Sequence, residues 1–268
     1  MARVTAIRSR AMLGDFTIFF WLLKLGAPLN LYFLADTWSP SSAAAGAQIL
    51  VPARIFFAVS AYRCLYPVQY KDDVVFHDAP LSSIFLTRLL ATLSEVAYIY
   101  QFSHVIRLLN ADRVGWVDAL SWVMVLQVVV SQVFVWGAIL TGRLAFYFYE
   151  ELGWANLFAI NTIASAYLCA TVADLGRGQL LVTLNLLFGA VYLPWQLLHL
   201  RMLRSDARKD TASTWTPLKA GLSRSIHSRK ATTDPRAWGG LIGLTWMTGY
   251  WATLIPIWVH RVVVVFSR

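Results

Sequence analysis

The sequence predicts an all-α polytopic membrane protein with seven transmembrane helices, and three observations lead to this fold class. Of the 268 residues, 58% are hydrophobic and only 14% are charged, whereas about a quarter of the residues of a soluble domain are charged. The apolar residues gather into seven long segments, and about 20 helical residues cross the hydrocarbon of a bilayer. These segments exceed strand length and lack period-2 alternation, so helices are favoured over a barrel.

The seven predicted helices are separated by turn-forming stretches such as "DTWSPSSAAAG", "TGR" and "DLGRGQ". Their ranges are 15–35, 47–67, 80–106, 115–141, 143–170, 178–200 and 237–259. The one sizeable piece outside them, 201–236, is rich in Ser, Thr, Arg and Lys. We expect it to be a flexible loop with at most a short helix on the membrane surface. We therefore predict a single domain over residues 1–268.

The distribution of basic residues predicts the orientation in the membrane. The chain has 23 Lys and Arg against 14 Asp and Glu, and the 201–236 loop is its most basic part. Because cytoplasmic loops are enriched in Lys and Arg, we expect the N-terminus and this loop inside and the C-terminus outside. This topology signal explains the net charge of +9 without nucleic-acid binding, and it suits contact with membrane lipids that have anionic headgroups. The expected location is a multi-pass position in the membrane, which in a bacterium is the inner (plasma) membrane.

Six charged residues lie at least seven residues from either end of a predicted helix. They are Glu95, Glu150, Glu151, Lys24, Arg54 and Arg88. A charge near the middle of a bilayer costs on the order of 3 kcal/mol unless it is paired or hydrated. We therefore expect these side chains to face the interior of the bundle.

Helix rise sorts these charges into two expected layers. One layer, roughly 10 to 13 Å from the cytoplasmic helix ends, contains Lys24, Arg88 and Glu150. The other lies just past the midplane and contains Glu95, Asn30, Arg54 and Asn185. Each layer has a carboxylate and a cation, so we expect pairing within each layer, including an ion pair between Lys24 and Glu150.

The adjacent glutamates of "FYFYEELGW" are expected to have different surroundings. Consecutive residues are about 100° apart around a helix, so the two side chains cannot point to one place. We expect Glu150 to face the interior, and Glu151 to find another partner or to reach toward the cytoplasmic interface.

These patterns favour a polar cavity lined by aromatic residues over ion pairs that only lock the helices together. The candidate catalytic residues are Glu95, as the acid/base group, and Glu150, as a second polar anchor. The candidate substrate-binding residues are Arg54, Arg88, Lys24, Tyr98, Trp154, Asn161, Asn185 and His199. Because Cys and His lack the spacing of a metal site, we predict no metal and no cofactor.

The functional hypothesis is a membrane enzyme that acts on a lipid or isoprenoid by acid/base chemistry. The stretch "SEVAY", Ser94 to Tyr98, resembles the acid-and-tyrosine helices of seven-span terpene cyclases, which would imply a cyclase-like reaction. The last predicted helix has no acidic residue, which departs from that family's pattern. Buried carboxylates beside cations are also typical of proton-coupled transporters, so transport of a small solute is the alternative. A non-catalytic membrane subunit whose charges face a partner protein is the third.

Overall fold

The computed structural model describes residues 17–172, 175–208, 210 and 215–267, which are mainly α-helical, and this confirms the predicted all-α class. The helices of this part of the chain are α1 (Thr17–Asp36), α2 (Ala47–Leu65), α3 (Ile84–Leu109), α4 (Gly115–Thr141), α5 (Leu144–Thr171), α6 (Gly178–Ala207), α7 (Leu218–His227), α8 (Gly240–Trp251) and α9 (Leu254–Phe266). Short 3-10 helices cover Pro40–Ala45 and Pro80–Ser82. Three strands of two residues each are β1 (Val68–Gln69), β2 (Val74–Val75) and β3 (Lys230–Ala231).

Six stretches of the described chain are long and apolar enough to cross a membrane. They are α1, α2, α4, α5, α6 and the combined stretch of α8 and α9, Gly240–Phe266. The chain is therefore a multi-pass integral membrane protein. Helix α3 has 26 residues and contains Arg88, Glu95 and Arg107, and it is not among these six stretches.

The long helices pack in the order of the chain, each against the next, from α1 to α6. The last stretch closes the bundle, because α8 contacts α1 and α9 contacts α2, α1 and α6. Apolar residues of all these helices join in one buried core, in which Phe56, Ile99 and Leu157 are fully buried. Such connected packing buries the face of α3 that carries Arg88 and Glu95, while Leu89 and Leu93 on its outer face are exposed.

The predicted helix ranges agree closely with the structure except at the two last segments. Helix α6 continues to Ala207, seven residues beyond the predicted end at 200, so the first part of the expected 201–236 loop is helical. The predicted helix 237–259 is in fact two helices, α8 and α9, and the second extends to Phe266.

The break between α8 and α9 is explained by the proline that follows it. Pro256 has no N–H to donate to the carbonyl of Ala252, and its ring would collide with that carbonyl in a continuous helix. The carbonyl of Trp251, the last residue of α8, accepts a hydrogen bond from Asn30 Nδ2 at 2.9 Å and one from Cys64 Sγ at 3.4 Å. Asn30, which was expected in the layer of Glu95, thus stabilises the helix break.

One end of the bundle contains the three strands and α7, and we call it the basic end. It comprises the connection between α2 and α3, the turn between α4 and α5, and the described part of 208–239. There β1 pairs antiparallel with β2, and β2 pairs parallel with β3. Within the expected loop, residues 218–231 include one short helix, α7, together with β3, and both dock on the bundle.

Helix α7 is held in place by the C-terminal end of α4. Arg224 Nη2 donates to the carbonyl of Ile139 at 2.7 Å, and the amide of Thr216 donates to the carbonyl of Thr141 at 2.8 Å. These bonds satisfy carbonyls that have no partner within α4. The basic N-terminal residues Arg3, Arg8 and Arg10, on which the orientation prediction partly depends, lie outside the described residues.

Candidate active site

A cavity of about 430 Å³ lies inside the bundle and extends toward the basic end. Its inner walls include Tyr98, Trp154 and Phe158, and Lys71 and Asp206 line it at the basic end. Lys71 Nζ and the Asp206 carboxylate form a salt bridge at 3.1 Å, and both side chains are partly exposed. The volume falls within the range of about 300 to 1,000 Å³ that is typical of small-molecule sites.

Arg88 is the centre of a charged cluster on one wall of this cavity. Arg88 Nη2 donates to Glu95 Oε2 at 2.6 Å and also to Gln132 Oε1 of α4. Gln132 Nε2 completes the network by donating to Glu95 Oε2 at 2.9 Å. Arg88 Nη1 lies 3.9 Å from Glu150 Oε1. Arg88 and Glu95 are only 3% and 8% exposed, so this ion pair is buried between helices.

The cluster corrects the expectation of two separate layers. Arg88 and Glu95 are seven residues apart and share a face of α3, as their spacing predicts. The long arginine side chain bridges the two helical turns, so both glutamates meet the same guanidinium. Glu150 therefore pairs with Arg88, and the predicted ion pair between Lys24 and Glu150 is wrong.

Glu150 and Glu151 both line the cavity, although they point to different sides of α5. Glu151 Oε2 accepts a hydrogen bond from Gln196 Nε2 of α6 at 2.7 Å, while Glu150 faces Arg88 of α3. The cavity lies between α3 and α6 and thus reaches around α5 far enough to include both. The expectation that the two carboxylates cannot serve one place is wrong for this reason. The expectation that Glu151 finds its own partner is confirmed.

Six of the ten predicted site residues line the cavity. They are Glu95, Glu150, Arg88, Tyr98, Trp154 and His199. They come from α3, α5 and α6. His199 lies on the wall formed by α6, where its ring stacks on Trp195 with centroids 5.3 Å apart.

Lys24 and Arg54 lie elsewhere. Lys24 is exposed on the outer face of α1, where its Nζ lies 4.7 Å from the centroid of the Trp21 ring. Arg54 is at the end of the bundle opposite the basic end, where Nη2 donates to the carbonyl of Thr37 at 2.7 Å. Its guanidinium lies over the ring of Trp38 at 3.6 Å. Both long side chains thus extend away from the interior, contrary to the expectation that they face it.

Asn161 and Asn185 are buried, at 1% and 3% exposure, but neither lines the cavity. Asn185 Nδ2 donates to Ser165 Oγ at 3.2 Å and so joins α6 to α5. Among the described residues, the amide atoms of Asn161 have no hydrogen-bond partner. The geometry associates Asn185 with helix packing.

Arg63, Tyr70, Gln132 and Tyr147 are not among the predicted site residues. All but Gln132 line the cavity. Arg63 lies near the end of α2, where a basic residue usually reaches the membrane surface, and Tyr70 lies in a predicted loop. Burial raises the pKa of Tyr70, and Arg63 and Arg88 offset this only in part. Tyr70 is therefore a hydroxyl donor at neutral pH.

Aromatic rings form the apolar part of the cavity wall. The rings of Tyr98 and Trp154 are stacked with centroids 6.2 Å apart, and those of Trp154 and Phe158 are 6.0 Å apart. Beyond them, toward the opposite end, Phe102 and Trp258 are stacked at 3.5 Å within the buried core. The cavity thus combines a charged wall with an aromatic one.

No protein-family model, curated protein or solved structure matches the chain. What the site can do therefore follows from its own chemistry. Carboxylates at the wall of a secluded cavity can give or take a proton, and aromatic walls accommodate apolar molecules. The cavity has both features.

Proposed function

We propose that the protein is an integral membrane enzyme that binds a lipophilic substrate in this cavity and transfers a proton through Glu150. The observation that carries the proposal is the position of the Glu150 carboxylate. It is buried, it lines the same cavity as the aromatic rings, and its cationic partner Arg88 lies as far as 3.9 Å away. A carboxyl group in such a place is suited to general acid or base catalysis.

The contacts support different roles for Glu95 and Glu150. Glu95 accepts hydrogen bonds from both Arg88 and Gln132, whereas Glu150 lies 3.9 Å from Arg88. Glu95 therefore suits the role of an anchor that positions Arg88. This exchanges the roles that the sequence suggests, since Glu150 becomes the acid/base group.

The shape and lining of the cavity support a lipid or isoprenoid as the substrate class. Trp154, Phe158 and Trp246 provide apolar faces along its length, and such faces contribute most of the binding area for an apolar chain. The substrate and membrane lipids are thus the proposed partners, and nucleic acid is not among them.

The proposal includes α3 as a seventh span and an inside N-terminus. Helix α3 has 26 residues, which at about 1.5 Å per residue are enough to cross the hydrocarbon. The basic end contains most of the described Lys and Arg residues outside the long helices, including Lys71, Arg143 and Arg229. We assign this end to the cytoplasm because basic residues are enriched there.

The test compares product formation from lipid extracts by the purified protein and by the variants Glu150→Gln and Lys24→Gln. Removing the acid/base group is expected to lower the rate by about 10² to 10⁴, while the exposed Lys24→Gln variant keeps it. Monodisperse elution from a sizing column checks that each variant is assembled. Unchanged product formation by assembled Glu150→Gln would reject this role.

The break between α8 and α9 favours a second candidate, a proton-coupled transporter. Trp251 and Ile255 flank the break and line the cavity, and discontinuous helices form the substrate sites of many carriers. Solute uptake in vesicles that requires a proton gradient, with no new product from lipid extracts, would replace the enzyme by the transporter. A wild-type protein with neither activity, combined with loss of assembly in Glu150→Gln, would favour the non-catalytic subunit.

A further inference from the structure

Arg63 is a buried cation on the cavity wall whose charge no described carboxylate balances. Its side chain is 3% exposed, and in the part of the chain that the structure describes no acidic group lies within salt-bridge distance of it. Nη2 donates to the carbonyl of Val68 at a long 3.4 Å. The other two nitrogens, Nε and Nη1, have no hydrogen-bond partner among the described residues. Five N–H donors are thus almost unused in a place where burying a charge is costly.

The groups around Arg63 are rings. Its Cζ lies 5.2 Å from the ring centroid of Tyr70 and 5.1 Å from that of Trp251. The Tyr70 ring also contacts Arg88, at 5.4 Å. The buried Tyr70 hydroxyl has no partner among the described residues either. A second unused donor therefore lies on the same wall, close to the first.

The other cations at the cavity are already paired. Arg88 neutralises Glu95 at 2.6 Å and approaches Glu150 at 3.9 Å, and Lys71 is paired with Asp206. The third glutamate, Glu151, is held on the opposite wall by Gln196. Arg63 is thus the cation that remains available to a ligand.

We propose that Arg63 and Tyr70 form the head-group subsite for an anionic amphiphile, a molecule with a phosphate or carboxylate head and an apolar tail. Arginine is well suited to oxyanions because its N–H groups match their geometry and its charge is permanent. The tail then lies along the aromatic wall beside Trp154. The proposal rests on the proposed function only where it identifies this amphiphile with the substrate.

The test measures binding without turnover, so that it can fail independently of the proposed function. The protein is placed in phosphatidylcholine nanodiscs and titrated with octyl phosphate, octanol, octyltrimethylammonium or inorganic phosphate. Tryptophan fluorescence reports binding, since Trp154, Trp246 and Trp251 line the cavity, and empty nanodiscs give the background. Octyl phosphate is expected to saturate the signal with an affinity at least about tenfold higher than that of octanol.

Variants of two arginines test whether Arg63 is responsible for the tighter binding of octyl phosphate. Arg63→Gln is expected to reduce the affinity for octyl phosphate about tenfold, to that for octanol, and Arg63→Lys to restore part of it. Arg54→Gln is the matched control, because Arg54 does not line the cavity, and it is expected to bind as the wild type does.

Several results would overturn the proposal. If octanol or octyltrimethylammonium binds the wild type as tightly as octyl phosphate, the subsite does not select anions. This comparison needs only the wild-type protein, so it remains decisive even if Arg63→Gln fails to fold. If inorganic phosphate alone binds as tightly, the ligand is a free anion and the amphiphile is wrong. Equal losses of affinity for octyl phosphate in Arg63→Gln and Arg54→Gln would also reject the placement of the subsite at Arg63.

Discussion

Arg88 shows how a single residue can make two carboxylates tolerable inside a membrane protein. Its guanidinium contacts Glu95 on its own helix and Glu150 on α5, and Gln132 of α4 satisfies both members of the closer pair. Removing one partner of a buried ion pair leaves the other without compensation. Arg88 should therefore matter for stability as well as for the proposed chemistry.

Replacing Arg88 by Gln is expected to lower the free energy of unfolding by about 3 to 5 kcal/mol, because two carboxylates lose their common cation. The double variant Arg88→Gln/Glu95→Gln should recover part of this loss, since one of those charges is then absent. Titration with a denaturing detergent in mixed micelles measures the change. The exposed Lys24→Gln is the control, with an expected change of at most about 1 kcal/mol; a similar small change in Arg88→Gln would refute the argument.

At this scale the sequence predicts some residues well and others not at all. The spacing of Arg88 and Glu95 is enough to place them on one face, and their cost in lipid is enough to place them inside. The depth of a residue along its helix does not predict where the side chains of Lys24 and Arg54 lie, because a long side chain can extend several ångströms from the level of its own Cα atom. Arg63 does lie within the predicted helix 47–67, but only four residues from its end, and Tyr70 lies in a loop. Only the fold shows that both side chains reach the cavity.

The helices are fixed at the basic end by contacts from distant parts of the chain. The N-terminus of α5 is capped by Asp210, whose carboxylate accepts hydrogen bonds from the amides of Leu144 at 3.1 Å and Ala145 at 2.9 Å. Arg143 Nε lies 3.2 Å from the same carboxylate. Burial alone would raise the pKa of Asp210, but the two amides and Arg143 together lower it. The charged form is thus the one that stabilises the helix end.

Asp210→Asn is expected to destabilise the protein by about 1 kcal/mol at neutral pH, because the cap loses its negative charge. The stabilisation by the Asp210 carboxylate is complete above the ordinary aspartate pKa of about 4. It is lost as the pH falls through the lowered pKa that Asp210 has in the folded protein. The difference between wild type and variant, measured by thermal unfolding from pH 7 to pH 3, should therefore shrink at the acidic end. The exposed Asp112→Asn is the control, and a difference that grows on acidification would contradict the capping role.

Helix α7 approaches α4 so closely that only glycine fits at its point of contact. A Cβ atom on Gly221 would lie 1.7 Å from the carbonyl oxygen of Leu140. We expect Gly221→Ala to displace α7 and to lower the free energy of unfolding by about 1 to 3 kcal/mol. Gly115→Ala is the matched control, because nothing lies within 4 Å of its added Cβ, and there a gain of about 0.5 kcal/mol is expected. Equal stability of the two variants, measured by thermal unfolding, would show that α7 is not docked.

The sequence predicts the long helices better than their irregularities. Apolar length determines a membrane helix almost alone, so α4 occupies the predicted range. The break at Ala252 does have a signal in Pro256, but Pro28 and Pro194 lie inside helices that continue. A proline by itself therefore does not predict a break, and the contact of Asn30 with the carbonyl of Trp251 at the break is visible only in the fold. The docking of α7 and β3 depends on pairing between distant segments, which a local pattern does not reveal.

At the scale of the whole molecule, the bundle has two different halves. Toward the basic end it encloses a cavity with three glutamates and two arginines on its walls. Toward the opposite end it is filled by stacked rings such as Phe102 and Trp258. The sequence predicts that the three glutamates and Arg88 are inside, and the structure adds that all four line one cavity. This arrangement is the basis of the proposed proton transfer by Glu150.

The most direct measurement is the reaction of a cysteine at position 150 with a membrane-impermeant methanethiosulfonate. Cys64 and Cys169 are first replaced by Ser, and Lys219→Cys, on α7, marks the side of the basic end. We predict that Glu150→Cys reacts from the side on which Lys219→Cys reacts, and that Ser165→Cys, which is buried outside the cavity, does not react. Reaction from the other side only, or no reaction at position 150 in assembled protein, would contradict the cavity on which the account depends.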